Sequence, residues 1–134
     1  MIPVLEPSSQ QEAYNMMDHA YSLSEILKLP VLMRIVTRLA HSRAAIEVAE
    51  AREENPLSPD NERSHWVLLP GNARKQYVEL IKKQADLENS SFGSPYNWLE
   101  NFTPGVYNEL GVVACGIGYN LSLIHISEPT RLLS

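Results

Sequence analysis

The residues best placed for chemistry form a short polar cluster, TRLAHSR, which follows an apolar run in the first third of the chain. Arg38 and Arg43 carry planar guanidinium groups that can pair with a carboxylate or a phosphate. Thr37 can donate a hydroxyl hydrogen bond, and His41 can titrate near neutral pH. We therefore predict that these four side chains face a ligand or a domain interface. The alternative is a structural role, in which the arginines cap carbonyl groups or bridge to another domain and His41 is a satisfied loop histidine.

The placement of this cluster follows from a strand, helix, strand pattern in residues 2–36. Residues 2–6 read as a short apolar strand, and Ser9 with Glu12 forms a capping-box pattern that predicts a helix start. Pro30 predicts that the helix ends near Lys28. Residues 31–36 are mostly β-branched and apolar, as in a buried parallel strand. The apolar stripe predicted to face the sheet is Ala13, Met16, Met17, Ala20, Leu23 and Leu27.

This order of elements predicts a right-handed parallel β-α-β unit, because a crossover of this kind is almost always right-handed. Ligands of such folds usually lie beyond the C-terminal ends of the strands. The cluster TRLAHSR follows the second strand directly. The fold class predicted for this part of the chain is therefore α/β, with the polar cluster at the ligand-binding edge of the sheet.

Composition sets the broad class. With 134 residues, 44% hydrophobic and 20% charged, the chain is predicted to be soluble and globular. A formal charge of -5, with eleven basic residues dispersed among sixteen acidic ones, argues against a nucleic-acid footprint. The apolar runs are too short to span a bilayer, and the start MIPVLEPSS lacks a basic region, so neither membrane nor secretion is indicated. Cys115 is the only cysteine, which excludes an intrachain disulfide and fits a cytoplasmic setting.

The middle of the chain reads as connecting structure. Residues 47–64 are acidic, contain two prolines, and are predicted to be a surface linker. Residues 65–110 are predicted to hold a strand-like apolar run ending at Leu69 and then an amphipathic helix capped by Asn72. The stripe of that helix is Ala73, Tyr77, Leu80, Ile81 and Leu87, and its basic flank is Arg74, Lys75, Lys82 and Lys83. The flank can attract an acidic partner such as a ferredoxin or can simply be solvated.

The end of the chain gives two expectations. Residues 111–120 read as a buried strand and a glycine turn that start a further α/β domain, with Cys115 as inert apolar filler. A dinucleotide fingerprint at Gly116 and Gly118 is incomplete, because no third glycine, helix or acidic ribose partner follows. The phrase LSLIHISEPTR matches the translation of a sequencing-library adapter, so residues 121–134 are predicted to be adapter-derived, and Met1 to be an internal methionine. The alternative for the tail is a native strand.

Several phrases of the sequence resemble one enzyme family. LEPSS, QEA, LPVLMR and TRLAHSR, together with WVLLPGNARKQYVEL, look like the alpha subunit of indolepyruvate:ferredoxin oxidoreductase, a thiamine-diphosphate-dependent family. By this resemblance, residues 1–46 are the C-terminal part of the first, pyrimidine-type thiamine-diphosphate-binding domain. The resemblance covers most of residues 2–120 and rests on phrases along the chain, without a catalytic motif.

The resemblance implies an activity for a parent enzyme. Members of the family oxidatively decarboxylate aryl 2-oxo acids such as indolepyruvate to acyl-coenzyme A, using thiamine diphosphate with Mg²⁺ and [4Fe-4S] clusters, and pass electrons to ferredoxin. The implied partners are a beta subunit and ferredoxin. This chain lacks the family's activating glutamate segment, its diphosphate site and its cysteine-rich terminus, so it is expected to hold no complete cofactor site and to be inactive alone. The alternatives are a noncatalytic α/β interaction module or the alpha subunit of another 2-oxoacid:acceptor oxidoreductase.

Overall fold

The computed structural model describes residues 1–100 and 111–127, which fall in two compact units. Of the described residues, the N-terminal unit comprises 2–48 together with 111–127, and the central unit comprises 49–100 with Met1. The elements of the N-terminal unit are β1 (Val4–Leu5), α1 (Gln10–Leu27), β2 (Leu32–Met33), α2 (Thr37–Ala40) and α6 (Ile117–Ser127). The central unit contains α3 (Arg63–Trp66), α4 (Pro70–Lys82) and α5 (Gln84–Phe92).

Helix α1 begins where the capping pattern predicts. Ser9 is the N-cap, and its hydroxyl oxygen accepts a hydrogen bond from the Glu12 amide at 3.2 Å. The Glu12 carboxylate reaches one residue further back than an ideal capping box, because it accepts from the amide and hydroxyl of Ser8. Two amide donors at the helix start are thus satisfied, as a stable N-terminus requires.

The end of α1 is also at the predicted place. The helix stops at Leu27, and the C-cap Lys28 has φ 50° and ψ 46°, in the left-handed region. The hydroxyl of Ser24 donates to the carbonyl of Leu29 at 2.8 Å and fixes the chain as it leaves the helix. Pro30 then disfavours helical backbone at Leu29. A left-handed residue after a helix is usually glycine, so Lys28 pays a conformational cost for this turn.

The two strands are parallel, which confirms the predicted β-α-β connection. Val4 is in register with Leu32, and Leu5 with Met33. The Leu32 amide donates to the Pro3 carbonyl at 3.0 Å, and the Arg34 amide donates to the Leu5 carbonyl at 2.8 Å. The predicted strand over 31–36 is too long, because only Leu32–Met33 has regular pairing before the chain turns into α2. The predicted right-handed crossover stays a prediction.

The core of the N-terminal unit lies between α1 and the sheet. The buried apolar side chains are Leu5, Pro7, Met16, Ala20, Leu27 and Leu39. Met17, predicted to face the strands, is 45% exposed. The reason is geometric: at 100° per residue, Met17 lies about 80° around the helix from the centre of the stripe formed by Met16, Ala20 and Leu27. The other face of the sheet is open, since Val4 and Leu32 are both exposed.

In the central unit the predicted strand before Leu69 is wrong. Arg63–Trp66 forms the short helix α3, and residues 67–69 have no regular structure. The Trp66 indole N–H donates to the Asp60 carbonyl at 2.9 Å, and the Val67 amide donates to the Arg63 carbonyl at 3.1 Å, so local partners satisfy these groups. A short apolar run does not by itself distinguish a strand from a helix or an irregular segment.

The long amphipathic helix is present but has different ends. Helix α4 begins at Pro70, with Leu69 as N-cap, two residues before the predicted cap at Asn72. Proline suits this first helical position, because the amide it lacks would have no partner there. The Asn72 side-chain amide donates instead to the Val67 carbonyl at 2.9 Å. The helical path breaks at Lys83, after which α5 continues to Phe92.

The predicted strand in residues 111–120 is also wrong. Residues 111–115 have no regular structure and are exposed, and α6 begins at Ile117. Leu121 and Ile124 on α6 are exposed at 44% and 56%. The predicted adapter origin of residues 121–134 stays a prediction, and its last part, with residues 101–110 of the predicted connecting segment, lies outside the described residues.

The backbone at Lys28 gives a stability prediction. Lys28→Gly should raise the free energy of unfolding by about 1 kcal/mol, because glycine adopts the left-handed conformation without the Cβ penalty. The ion pair that is lost, Lys28 Nζ to Glu25 at 3.0 Å, is exposed on both sides and contributes little. Urea unfolding followed by far-UV circular dichroism measures the change.

The matched control for this substitution is Lys82→Gly. Lys82 forms the same kind of exposed pair, with Glu79 at 2.7 Å, but is the last helical residue of α4 and has no positive φ. Glycine there should destabilise by about 0.5–1 kcal/mol, since it raises the entropy cost of the helix. Equal losses of stability at the two positions would contradict the assignment of strain to Lys28.

Candidate functional site

The sheet register places two opposite charges side by side. Glu6 follows β1 and Arg34 follows β2, so they are the next pair after Leu5 and Met33. Arg34 Nη2 lies 2.6 Å from Glu6 Oε1. The Glu6 side chain is only 19% exposed, whereas that of Arg34 is 62% exposed. The pair therefore closes the C-terminal edge of the sheet, the edge at which α/β folds bind ligands.

A third group, Cys115, joins this edge from the far end of the sequence. Its thiol is free, and the Glu6 carboxylate is near enough to raise its pKa. The next residue, Gly116, has φ +55°, and a Cβ there would lie 3.4 Å from the Pro7 carbonyl oxygen. Glycine is favoured at this turn, since an L residue would be strained at this positive φ. The Asn120 side-chain amide donates to the Ser8 carbonyl at 2.8 Å and fastens α6 to the same loop.

The electrostatics of the three groups are coupled. The hydrogen bond from Arg34 holds the pKa of Glu6 below its ordinary value, and the same bond raises the pKa of Arg34. The carboxylate of Glu6, followed by desolvation, raises the pKa of the Cys115 thiol. A raised pKa keeps the sulfur protonated near neutrality, whereas a nucleophilic cysteine requires a lowered one. We therefore interpret the Glu6, Arg34 and Cys115 cluster as a structural clasp that joins β1, β2 and the segment before α6.

The residues predicted from sequence lie further along the chain. Thr37 and Arg38 are in α2, and His41 is its C-cap. All four predicted side chains, including that of Arg43, are exposed. Within the described part of the chain, no side-chain hydrogen bond or ion pair joins them to the clasp. They follow the β2 edge but are not brought together with Glu6, and their role toward a ligand or interface stays a prediction.

Glu6 and Arg34 were not selected from the sequence, although the sequence contains a pattern that could have identified them. Arg34 is the single charge that interrupts the apolar run of residues 31–36, and Glu6 is the single charge after the first apolar run. A charge at the C-terminal end of each of two parallel neighbours predicts a pair, provided that the register is known. Cys115 gave no such signal. It was predicted to be apolar filler in a buried strand, but it is exposed and lies in a segment without regular structure.

The central unit contains a second polar cluster, around His65. His65 Nδ1 lies 2.5 Å from Asp60 Oδ2, and this hydrogen bond raises the pKa of His65 and lowers that of Asp60. Neighbouring Ser64 does not complete a catalytic triad, because its hydroxyl donates to the Glu62 carboxylate at 3.0 Å. Both partners of the dyad are about half exposed. The cluster caps α3 and has no arrangement for nucleophilic chemistry.

The cofactors implied by the resemblance do not fit the residues present. A [4Fe-4S] cluster needs four cysteine thiolates, and the chain has one cysteine. Within residues 1–100 and 111–127, no group of three or more His, Cys, Asp or Glu side chains could hold a metal ion. Arg34, the cation nearest the ligand-binding edge, is paired with Glu6. No catalytic step is therefore assigned to these groups here.

Comparison with curated proteins decides the family. The chain is 38% identical over 122 residues to indolepyruvate oxidoreductase subunit IorA of Methanothermobacter thermautotrophicus, covering 89% of this chain and 19% of that protein. It is 35% identical over 121 residues to the IorA of Methanothermobacter marburgensis, with the same coverage of both chains. The chain is homologous to a segment of IorA. The IorA of Archaeoglobus fulgidus is 33% identical over 120 residues, covering 88% of this chain and 19% of that protein.

The match to IorA confirms the family resemblance and defines its extent. The chain spans about a fifth of the length of the curated IorA proteins that it matches. No protein-family model matches the chain, and no solved structure matches it significantly. Among the helices of the described residues, none has the length and apolar character needed to cross a membrane.

The clasp predicts opposite effects of two substitutions on the reactivity of Cys115. Glu6→Gln should lower the pKa of the thiol toward its ordinary value and accelerate alkylation at pH 8, because the carboxylate raises that pKa. Arg34→Gln should slow alkylation, because the guanidinium lowers the pKa of Cys115. The rate of iodoacetamide labelling as a function of pH measures both effects. Cys115→Ser is the blank, and changes of the same sign in the two variants would contradict the clasp.

The hydrogen bond between Asp60 and His65 should make the stability of α3 depend on pH. The pKa of His65 is raised in the folded chain, so the stabilisation from its bond with Asp60 is complete below the ordinary histidine pKa of about 6.5. That stabilisation is lost as the pH rises through the folded pKa. NMR titration should give His65 a higher pKa in the unsubstituted chain than in an Asp60→Asn variant. Glu50→Gln changes another carboxylate of the predicted linker and should leave the pKa of His65 unchanged. Identical titration curves in the parent chain and Asp60→Asn would refute the coupling.

Proposed function

We propose that this chain is a segment of the alpha subunit of an oxidoreductase that oxidatively decarboxylates aryl 2-oxo acids, such as indolepyruvate, to acyl-coenzyme A. Ferredoxin accepts the electrons, and the subunit works in the cytoplasm with a beta subunit. The observation that carries the proposal is the 38% identity to an indolepyruvate oxidoreductase subunit over 89% of this chain. Similarity spread over this length supports descent from the same subunit and does not depend on a single motif.

The structure supports the proposal at the level of the fold. A parallel β-α-β unit is the element from which the α/β domains of nucleotide- and diphosphate-binding enzymes are built. In the proposed division, residues 1–46 end the first thiamine-diphosphate-binding domain, residues 47–64 are a linker, and residues 65–110 connect to the next domain, which starts in residues 111–120. Thr37, Arg38, His41 and Arg43 remain the proposed ligand- or interface-facing residues of the first domain.

The proposal assigns this segment a positioning role. Residues 2–36 place the edge of one parallel sheet, and the clasp fixes that edge through Glu6 and Arg34. The reacting groups and the cofactor sites belong to other parts of the parent subunit, because the donor groups that thiamine diphosphate, Mg²⁺ and [4Fe-4S] clusters require are not assembled among the described residues. The segment alone is therefore proposed to be inactive.

A segment exchange tests the proposal. The matching segment of the Methanothermobacter thermautotrophicus IorA is replaced by residues 2–120 of this chain, and the chimera is assayed with its partner subunit for indolepyruvate-dependent reduction of ferredoxin. We expect activity within about tenfold of the parent, since a misplaced sheet edge costs more than this. The isolated chain should give neither turnover nor saturable calorimetric binding of thiamine diphosphate with Mg²⁺.

The exchange has an internal control. A chimera that also carries Arg34→Glu should fold poorly or lose activity, because two carboxylates would then meet at the edge of the sheet. A folded chimera without activity, or micromolar binding of thiamine diphosphate by the isolated chain, would contradict the proposed function.

A further inference from the structure

One face of helix α4 is hydrogen-bonded to the preceding segment of the central unit. The Gln76 side-chain amide donates to the carbonyls of Ser64 and His65 at 3.2 and 3.1 Å. The Asn72 amide donates to the Val67 carbonyl at 2.9 Å. These bonds attach α4 to the segment that contains α3. Gln76 and Asn72 lie four residues apart, on one side of the helix.

The opposite face of α4 is apolar but exposed. Tyr77, Val78 and Ile81 are exposed at 63%, 51% and 52%, and with Arg74 they recur at spacings of three and four residues. That spacing places the four side chains, here called the outer stripe, on one face of the helix that is about 100° wide. At 100° per residue, the outer stripe lies about 150–180° around the helix from Gln76 and Asn72. Contiguous exposed apolar side chains of this kind are typical of interaction surfaces.

The charges beside the outer stripe are positive. Helix α4 contains Arg74, Lys75 and Lys82 against the single acid Glu79, a formal charge of +2 in a chain whose formal charge is -5. The Glu79 carboxylate already forms an ion pair with Lys82, whose Nζ lies 2.7 Å from Glu79 Oε1. Within the described part of the chain, Arg74 and Lys75 form no ion pair. The outer stripe therefore carries one cation, Arg74, at its N-terminal end and a second, Lys75, beside it, and both can pair with external carboxylates.

We propose that the outer stripe of α4 is a docking surface for an acidic amphipathic helix of a partner protein. The apolar side of the partner packs on Tyr77, Val78 and Ile81, and its carboxylates pair with Arg74 and Lys75. Of these residues, Tyr77 and Arg74 are of the types enriched in the cores of interfaces. Nucleic acid fits less well, because three apolar side chains occupy the centre of the surface. The proposal is independent of the proposed enzymatic function.

Binding of a designed probe tests this docking surface. The probe is a fluorescein-labelled helical peptide of about 18 residues, five turns, with leucines on one face and glutamates on the others. Anisotropy titration with the full chain should show saturable binding that weakens as salt is raised. A peptide with lysine in place of every glutamate should bind at least about tenfold more weakly.

Variants locate the binding on the outer stripe. Ile81→Ser and Arg74→Glu should each weaken binding of the glutamate peptide about tenfold, since each removes one central contact. Leu57→Ser, at a side chain that is 98% exposed in the connector, is the matched control and should change nothing. Circular dichroism checks that α4 persists. Equal binding of both peptides, binding unaffected by Ile81→Ser, preferential binding to anionic lipid vesicles, or concentration-dependent self-association through α4 in sedimentation would each overturn the proposal.

Discussion

The parallel register of the two short strands is the constraint on which the N-terminal unit depends. Pairing Val4 with Leu32 in parallel requires the chain to return across the sheet, and α1 makes that return. The same register sets Glu6 opposite Arg34, so the ion pair is a consequence of strand alignment. A shift by one residue would turn Leu5 away from α1 and separate the two charges. Packing and electrostatics thus favour one alignment together.

The part of the fold that could be predicted is the part with local signals. Ser9 and Glu12 determine where α1 starts, and Pro30 determines where it ends, through contacts within a few residues. Parallel pairing followed from the strand, helix, strand order alone. The side chain at the edge of the predicted stripe, Met17, could not be placed, because burial at the margin of a helix face depends on how the helix rolls on its sheet.

The failures occurred where a strand was predicted from an apolar run without a known partner. Residues 67–69 and 111–115 are apolar and yet unpaired, since a strand exists only when a neighbour supplies the ladder. The candidate site could not be predicted from sequence for the same reason. Asn120 and Ser8 meet although 112 positions separate them in the sequence, and Cys115 reaches Glu6 through the same packing. Thr37 and Arg38 were selected because they follow the strand, whereas the ion pair at this edge, Glu6 with Arg34, lies one residue past each strand.

The family of this chain is supported by sequence identity, whereas its chemistry must be judged from the side chains that the fold brings together. Identity to IorA extends over about 120 residues, whereas the described residues assemble no nucleophile, acid-base pair or metal set in a protected site. This combination is physically consistent, because buried apolar positions, caps and turns are constrained along the whole sequence while reacting groups occupy few positions. Among the described residues only six apolar side chains are buried, and the open face of the sheet and the outer stripe of α4 leave further apolar surface in water. Each such surface costs free energy in proportion to its area, so partners that cover the outer stripe stabilise the folded chain by the same contacts through which they bind.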